Sequence, residues 1–308
     1  MQGILDWGIR VVLWFQQFSP KLDLPFKVFT FMGEEEFFLL LLPLIFWCVD
    51  RRAGMRVTVL FLLSVYVNSV TKILAGQPRP FEYDPRVKKL FEATGQGFPS
   101  GHTQSAVVVW GYLAAQFRRV WLWVVAVLLI VFIPLSRVYL GAHFPTDLLG
   151  GYVIGALLLW LYLRWEPGSE AWLEKKGLAW QLGLATVVPL VLLAVSPALD
   201  ESIVTATAVM MGMGAGYALE RRWVGFEAAG VWWKRVLRVL LGVAVIFGLR
   251  FGLKAAFVGL EPEPLFRFVR YALIGLWGGL GAPWTFVRMR LAEVAQSYRC
   301  GSKIESIC

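Results

Sequence analysis

Nine stretches of this chain are apolar over the length of a membrane-spanning helix or nearly so: residues 36–49, 55–75, 102–117, 120–135, 144–163, 178–195, 202–219, 236–258 and 268–286. A helix needs about 20 residues to cross the hydrocarbon layer, and no irregular backbone survives there because its polar groups would go unsatisfied. The third and fourth stretches are short and are expected to extend into the interface. Residues 1–18 alternate apolar and polar groups, which fits a helix lying in the membrane plane or a tenth, irregular span. With 58% hydrophobic residues and a mean hydropathy of +0.63, the chain holds more apolar material than a soluble core of this length would use. The expected fold class is an all-α polytopic membrane protein, a helical bundle. Fifteen tryptophans, many beside Arg or Lys, suit interfacial belts. Asp6 and Arg10 interrupt the start of the chain, and no cleavable signal is expected there.

The net charge of +9 follows from membrane topology. Alternate connections, around 51–56, 118–119, 164–176, 221–238 and 288–303, hold 17 of the 30 cations. The connection at 196–201 has none, and that at 259–264 has two Glu and no cation. The basic set is expected in the cytoplasm and the other set outside, with no nucleic-acid partner. Loops 76–101 and 136–143 then lie outside. Arg79, Arg86, Lys88 and Lys89 oppose that bias, and an anionic ligand would explain them. Cys48 sits in an apolar run while Cys300 and Cys308 sit in a polar tail. Three free thiols are expected, with acylation of the tail as the alternative. Gly212, Gly214 and Gly216 follow no strand, so close helix packing is the better reading than a nucleotide loop; Gly275 and Gly279 have the same reading.

Three polar clusters interrupt this apolar background. Lys72 lies near the end of the second span, where an ionised group is costly and marks function unless it snorkels. Arg79 follows between Pro78 and Pro80, which hold its backbone extended; a guanidinium fixed so suits phosphate. The run Pro99-Ser100-Gly101-His102 opens the third span. Ser100 is a good helix cap, Gly101 permits close backbone approach, and helix N-termini bind anions. Finally Ser136-Arg137 precedes His143 and Asp147, four residues apart and on one helical face if both are helical. A carboxylate on one ring nitrogen fixes the imidazole tautomer and makes the other nitrogen a better nucleophile. Each cluster alone reads as a snorkelling lysine, a capped helix or a surface ion pair. Together, on one side of the bilayer, they match phosphoryl transfer without a metal, since fixed cations can hold the equatorial oxygens.

In order and spacing the clusters resemble the three signature motifs of the type 2 phosphatidic acid phosphatase superfamily, the lipid phosphate phosphatases: K-x(6)-R-P, then P-S-G-H, then S-R-x(5)-H-x(3)-D. The resemblance covers residues 34–165. It implies a phosphohistidine on His143 oriented by Asp147. It also implies phosphoryl oxygens held by Lys72, Arg79, Ser100, Gly101 and Arg137, and His102 as proton donor to the leaving group and then activator of water. No cofactor or metal is implied. The total of nine spans is similar to the branch of sphingosine-phosphate phosphatase and glucose-6-phosphatase.

The expected organisation is an N-terminal interfacial or irregular helix (1–33), the phosphatase core (34–165), a four-helix membrane extension (166–290) and a cytoplasmic tail (291–308). The expected activity is hydrolysis of a lipid phosphate or diphosphate at the extracytoplasmic face of the inner or plasma membrane. A phosphotransferase between lipids and an anion transporter are the alternatives. Glu34, Glu35 and Glu36 read as solvated interface acids, or one of them tunes or gates the site. Arg250, Lys254, Arg267 and Arg270 read as snorkelling cations or a phosphate-recruiting rim. The oligomeric state is left open.

Overall fold

The computed structural model describes residues 2–295, whose regular secondary structure is helical apart from one isolated antiparallel bridge between Phe226 and Val294. The expected tail thiols Cys300 and Cys308, and nearly all of the 291–308 tail, lie outside the described residues. Thirteen α-helices follow in order: α1 (Gln2–Gln16), α2 (Asp23–Phe31), α3 (Glu35–Cys48), α4 (Arg51–Ala75), α5 (Pro80–Tyr83), α6 (Gly101–Phe117), α7 (Val120–Tyr139), α8 (Pro145–Glu174), α9 (Leu178–Ala194), α10 (Glu201–Trp223), α11 (Trp232–Ala256), α12 (Glu263–Leu276) and α13 (Ala282–Arg288). All nine expected spans fall on these helices.

Five helical segments are long and apolar enough to cross a bilayer: Arg51–Tyr83, Val120–Tyr139, Pro145–Glu174, Glu201–Trp223 and Trp232–Ala256. The protein is therefore a multi-pass integral membrane protein. The fourth expected span is full length, 20 residues as α7. The third, α6, is only 17 residues and is buried without a break from Thr103 to Ala114. A helix small and apolar all round is wrapped by protein, so its length need not match the lipid. The ninth is divided. Between α12 and α13 a π-helical turn runs over Trp277–Gly281. Pro283 lacks an N–H and its ring would meet the carbonyl of Gly279 in a regular α-helix; the wider turn relieves that conflict.

The described chain packs into two compact units. One comprises the residues up to Leu39 with Leu63–Pro167; the other comprises Leu40–Leu62 with the residues from Gly168 onward. This grouping differs from the sequence-derived boundaries, because the N-terminal helices pack with the motif-bearing helices and residues 40–62 pack with the C-terminal ones.

In the first unit, Ile9 and Val12 of α1 join Val87, Val138 and Phe144 in one buried cluster. The Gln16 side chain donates to the carbonyls of Lys88 (2.7 Å) and Tyr139 (3.2 Å) and accepts from the Lys88 amide (2.9 Å). Asp23 accepts from the Tyr139 hydroxyl at 2.6 Å. The N-terminal helices thus brace the loop after α5 and the end of α7, the two places from which site residues come. On α8, Leu149, Val153, Leu157 and Trp160 are exposed at helical spacing, an apolar stripe suited to lipid.

In the second unit α10 and α12 touch backbone to backbone. A Cβ on Gly275 would lie 2.7 Å from the Val209 carbonyl, and one on Gly212 would be forced into the carbonyl of Ala272. The glycines serve helix packing, as the sequence reading expects. Gly212→Ala should lower stability by about 1–3 kcal/mol, because a rigid carbonyl has nowhere to move. A thermal melt in detergent measures it; an unchanged midpoint would mean the helices are not this close.

Candidate active site

Every sequence-expected site residue lies in the first unit, and several make direct contact. Asp147, in the first turn of α8, is fully buried and joins all three clusters. Its Oδ2 is 3.2 Å from His143 Nδ1 and accepts from the Phe144 amide at 2.9 Å. Its Oδ1 accepts from Gln77 Nε2 at 2.7 Å. Its main-chain carbonyl accepts from the Ser100 amide at 3.0 Å. A carboxylate at Nδ1 favours the tautomer with the proton there and leaves the lone pair on Nε2. That Nε2 lies 3.4 Å from Arg79 Nη1.

Arg79 sits in extended backbone, φ −84° and ψ 160°, as its two flanking prolines require. Its guanidinium donates to the carbonyls of Gly95 (2.8 Å), Thr94 (2.7 Å) and Ala142 (3.0 Å). Lys72 Nζ donates to the carbonyl of Gln96. The loop before α6 therefore meets both cations with main-chain oxygens. Gly97 permits this approach: a Cβ there would lie 2.9 Å from the Pro78 carbonyl and 3.2 Å from Asp147 Oδ2.

Ser100 caps α6, its Oγ accepting from the Thr103 amide at 3.4 Å. Gly101 is needed for a reason that the sequence reading did not contain. A Cβ there would lie 3.1 Å from Asn68 Oδ1, so the glycine makes room for a side chain of α4. Asn68 Nδ2 in turn donates to Gln104 Oε1 (3.0 Å), and Gln104 Nε2 donates to the carbonyl (2.8 Å) and hydroxyl (2.9 Å) of Ser64. This buried polar chain holds the N-terminus of α6 against α4. Ser136, beside Arg137, only donates to the Ile133 carbonyl at 2.6 Å and contributes to its own helix.

The second histidine has a partner outside the motifs. Glu34 Oε1 is 3.0 Å from His102 Nε2 and 3.5 Å from Arg137 Nη1. Arg137 also donates to Thr30 Oγ1 and packs on the Phe91 ring at 5.2 Å. Its buried Nε has no acceptor among the described residues. Glu34 is thus a member of the cluster and not a solvated interface acid. Burial raises its pKa, but the His102 hydrogen bond and the cations Arg137 and Arg79 outweigh this and leave it below its ordinary value. Thr30, Gln77 and Asn68 are site residues that sequence reasoning missed. Gln77 stood inside the first motif at a position where the pattern asks for nothing. Of the cations read as snorkelling or as a phosphate-recruiting rim, Arg267 pairs with Glu201 and Glu263, each at 2.9 Å, and Arg270 is buried.

His143 is 2% exposed in its side chain. Burial first, then the positive charge of Lys72, Arg79 and Arg137, with His102 behind, holds its imidazole well below its ordinary value. It is neutral at physiological pH, the form a nucleophile requires.

These features define a class: polytopic helical membrane proteins that hold two imidazoles, each facing a carboxylate, among cations at a helix N-terminus. Residues 53–170 match the PAP2 superfamily, and residues 204–294 match the family described as PAP2 superfamily phosphatase, transmembrane extension. The chain belongs to the PAP2 superfamily, which is the resemblance drawn from the three motifs. It is 30% identical over 170 residues to phosphatidylglycerophosphatase B of Bacillus subtilis, covering 51% of this chain and 81% of that protein. It is 29% identical over 187 residues to lipid phosphate phosphatase delta of Arabidopsis thaliana, covering 55% and 44%. With the undecaprenyl-diphosphatase of Sulfolobus acidocaldarius it shares 27% over 118 residues, covering 38% and 56%. The chain thus spans about half the length of the last two relatives.

With two histidines in the chain, an imidazole-labelled sample resolves each by NMR. The His143 signals should not titrate between about pH 8 and about pH 6, whereas the denatured chain should titrate near pH 6.5. Because the unfolded state takes up that proton and the folded state refuses it, stability should fall as pH drops below about 6.5. A His143 titration at the ordinary value would contradict the burial described.

Proposed function

We propose that the protein hydrolyses a lipid phosphate or lipid diphosphate without a metal, through a phosphohistidine on His143, at the extracytoplasmic face of the membrane. The observation that carries this reading is the environment of His143: Nδ1 on Asp147 at 3.2 Å and Nε2 beside Arg79 at 3.4 Å. One nitrogen is committed to a carboxylate and the other stands where a cation would hold a phosphoryl oxygen. The unpartnered Nε of Arg137 adds a buried donor that such an oxygen would satisfy.

The chemistry proceeds in two displacements. His143 Nε2 forms a bond to phosphorus as the bond from phosphorus to the lipid oxygen breaks. His102 passes a proton to that oxygen, releasing an alcohol from a monoester or a lipid monophosphate from a diphosphate. Water then attacks phosphorus while His102 takes one of its protons. The P–N bond breaks, and inorganic phosphate and the free imidazole are regenerated. Lys72, Arg79 and Arg137 balance the charge on the equatorial oxygens, with Ser100 and the Gly101 amide at the positive end of α6. Three cations in fixed positions supply what a metal supplies in other phosphoryl-transfer sites. Residues 34–165 hold this catalytic core, and residues 166–290 form a membrane extension. The lipid substrate class draws support from the relatives, which are named for phosphorylated glycerolipid and isoprenoid substrates. The outer location draws support from the cation distribution, which favours the opposite ends of the helices for the cytoplasm.

Purified protein in detergent with a chelator should release phosphate from members of a panel of glycerolipid, sphingoid and isoprenoid phosphates. His143→Ala should lose at least about a thousandfold, and labelled substrate should leave an acid-labile, alkali-stable label on the wild type only. Normal turnover by His143→Ala would overturn the mechanism. Label recovered on an added lipid acceptor in place of inorganic phosphate would make the protein a transferase. In sealed vesicles of known orientation, hydrolysis of a non-permeant substrate only from the cytoplasmic side would overturn the assigned face.

A further inference from the structure

Outside the three motifs, the turn between α2 and α3 reaches both a histidine and an arginine of the site. Gly33 lies flat against the His102 ring: a Cβ there would fall 2.6 Å from His102 Cδ2 and 2.9 Å from Ile133 Cγ2. Glu34 Oε1 stands 3.0 Å from His102 Nε2 and 3.5 Å from Arg137 Nη1. Thr30 Oγ1 accepts from Arg137. The backbone of Gly33 thus bounds one side of the imidazole, and the carboxylate of Glu34 engages one of its nitrogens.

We infer that Glu34 is a positioning residue for His102, acting on it as Asp147 acts on His143, so that the site contains two carboxylate–imidazole pairs with Gly33 as the backing of the second. The inference rests on the phosphohistidine reading above. A general acid must carry a proton that it can give up, and burial first, then the cations Arg137 and Lys72, oppose the protonation of His102. Glu34 is the anionic side chain facing it in the opposite sense. By accepting from Nε2–H it favours the imidazolium and leaves the other ring nitrogen to exchange the proton with the leaving oxygen. The first displacement then balances. The P–O bond breaks, the proton moves from the imidazolium to the departing alkoxide, and the neutral imidazole stays hydrogen-bonded to Glu34, ready to take a proton from water. The same carboxylate holds Arg137 at 3.5 Å, so proton donor and oxygen-holding cation share one anchor.

A merely structural carboxylate and a positioning one differ in how the leaving group matters. An alkyl alcohol leaves poorly unless protonated, whereas p-nitrophenol leaves as the anion and needs no acid. Full-length Glu34→Gln in detergent should be compared with wild type in a single turnover on an alkyl-chain phosphate and on p-nitrophenyl phosphate. The first-turnover rate on the alkyl phosphate should fall about 10- to 100-fold, and by at least about 10 times more than nitrophenolate release falls. His102→Ala should give the same asymmetry. Gly33→Ala, which presses a methyl onto the ring and leaves the carboxylate in place, should reproduce it. Equal losses on the two substrates, or none on either, would overturn the assignment of Glu34. Failure of the underlying reading has a separate signature: no phosphate released from either substrate by wild type, or full activity in His143→Ala.

Discussion

The buried carboxylate of Asp147 is the interaction on which the site depends. It is fully buried, and a buried charge is tolerable only where donors replace its water. Three do so: Gln77 from the first cluster, the Phe144 amide, and His143. Its carbonyl adds the Ser100 amide from the second cluster. Gln77, Ser100 and His143 lie far apart in sequence, yet one residue of α8 fixes them relative to each other. Removing one donor so that a buried acceptor goes unsatisfied typically costs about 1–3 kcal/mol, more where the acceptor is charged. The orientation of His143 and the register of the loop before α6 are therefore coupled. A disturbance of the loop reaches His143 through Gln77 and Asp147, and a disturbance of α8 reaches the cap of α6 through Ser100.

The parts legible in the sequence were those in which chemistry demands a residue type at a fixed spacing. Lys72, Arg79, His102, Arg137, His143 and Asp147 are rare in apolar helices, and their cost makes them visible. His143 and Asp147 are four apart because one helical turn brings them together. Gln77, Asn68 and Thr30 were not legible, because neutral polar residues near a helix end carry no such cost in a single sequence. Their roles come from contacts across separate helices. Glu34 was visible as a charge, but the two residues after it, Glu35 and Glu36, are also acidic, and nothing in the run marks which one turns inward. The turn at Gly33 makes that choice, and it is made by tertiary packing against His102.

The spans follow the same division. Those facing lipid carry a compositional signal that a window detects, as the exposed stripe on α8 illustrates. Helix α6 is surrounded by protein along most of its length, so lipid thickness does not set its extent and sequence length alone misjudges it. The grouping of residues 40–62 with the C-terminal helices was equally hidden. It rests on particular contacts, such as Arg51 Nη1 with the fully buried Glu220 at 2.9 Å and the Trp47 indole N–H donating to the Gly278 carbonyl at 3.0 Å. A motif search has no reason to assign the front of the chain to an extension at its back.

Two buried arginines are held in different ways. Arg238, 1% exposed, spends its donors on main-chain carbonyls: Leu291 from Nε and Nη2, Trp47 and Ala228 from Nη1, and Ala229 from Nη2. It staples helix ends to loops, and an anion would have to displace backbone to reach it. Arg137, 3% exposed, is held by side chains, Thr30, Glu34 and the Phe91 ring, and keeps a buried Nε without an acceptor. The free donor is not diagnostic by itself, since Arg270 has one too. What distinguishes Arg137 is that one neighbour, Glu34, is ionisable and is itself the partner of an imidazole. Arg238 is committed to backbone on every nitrogen, whereas Arg137 can exchange a side-chain partner when an anion arrives; Arg79 lies between the two, carbonyl-bound yet 3.4 Å from His143 Nε2. The charge near His102 and His143 can therefore exchange a side-chain partner, while the equally buried charge at Arg238 is spent on backbone.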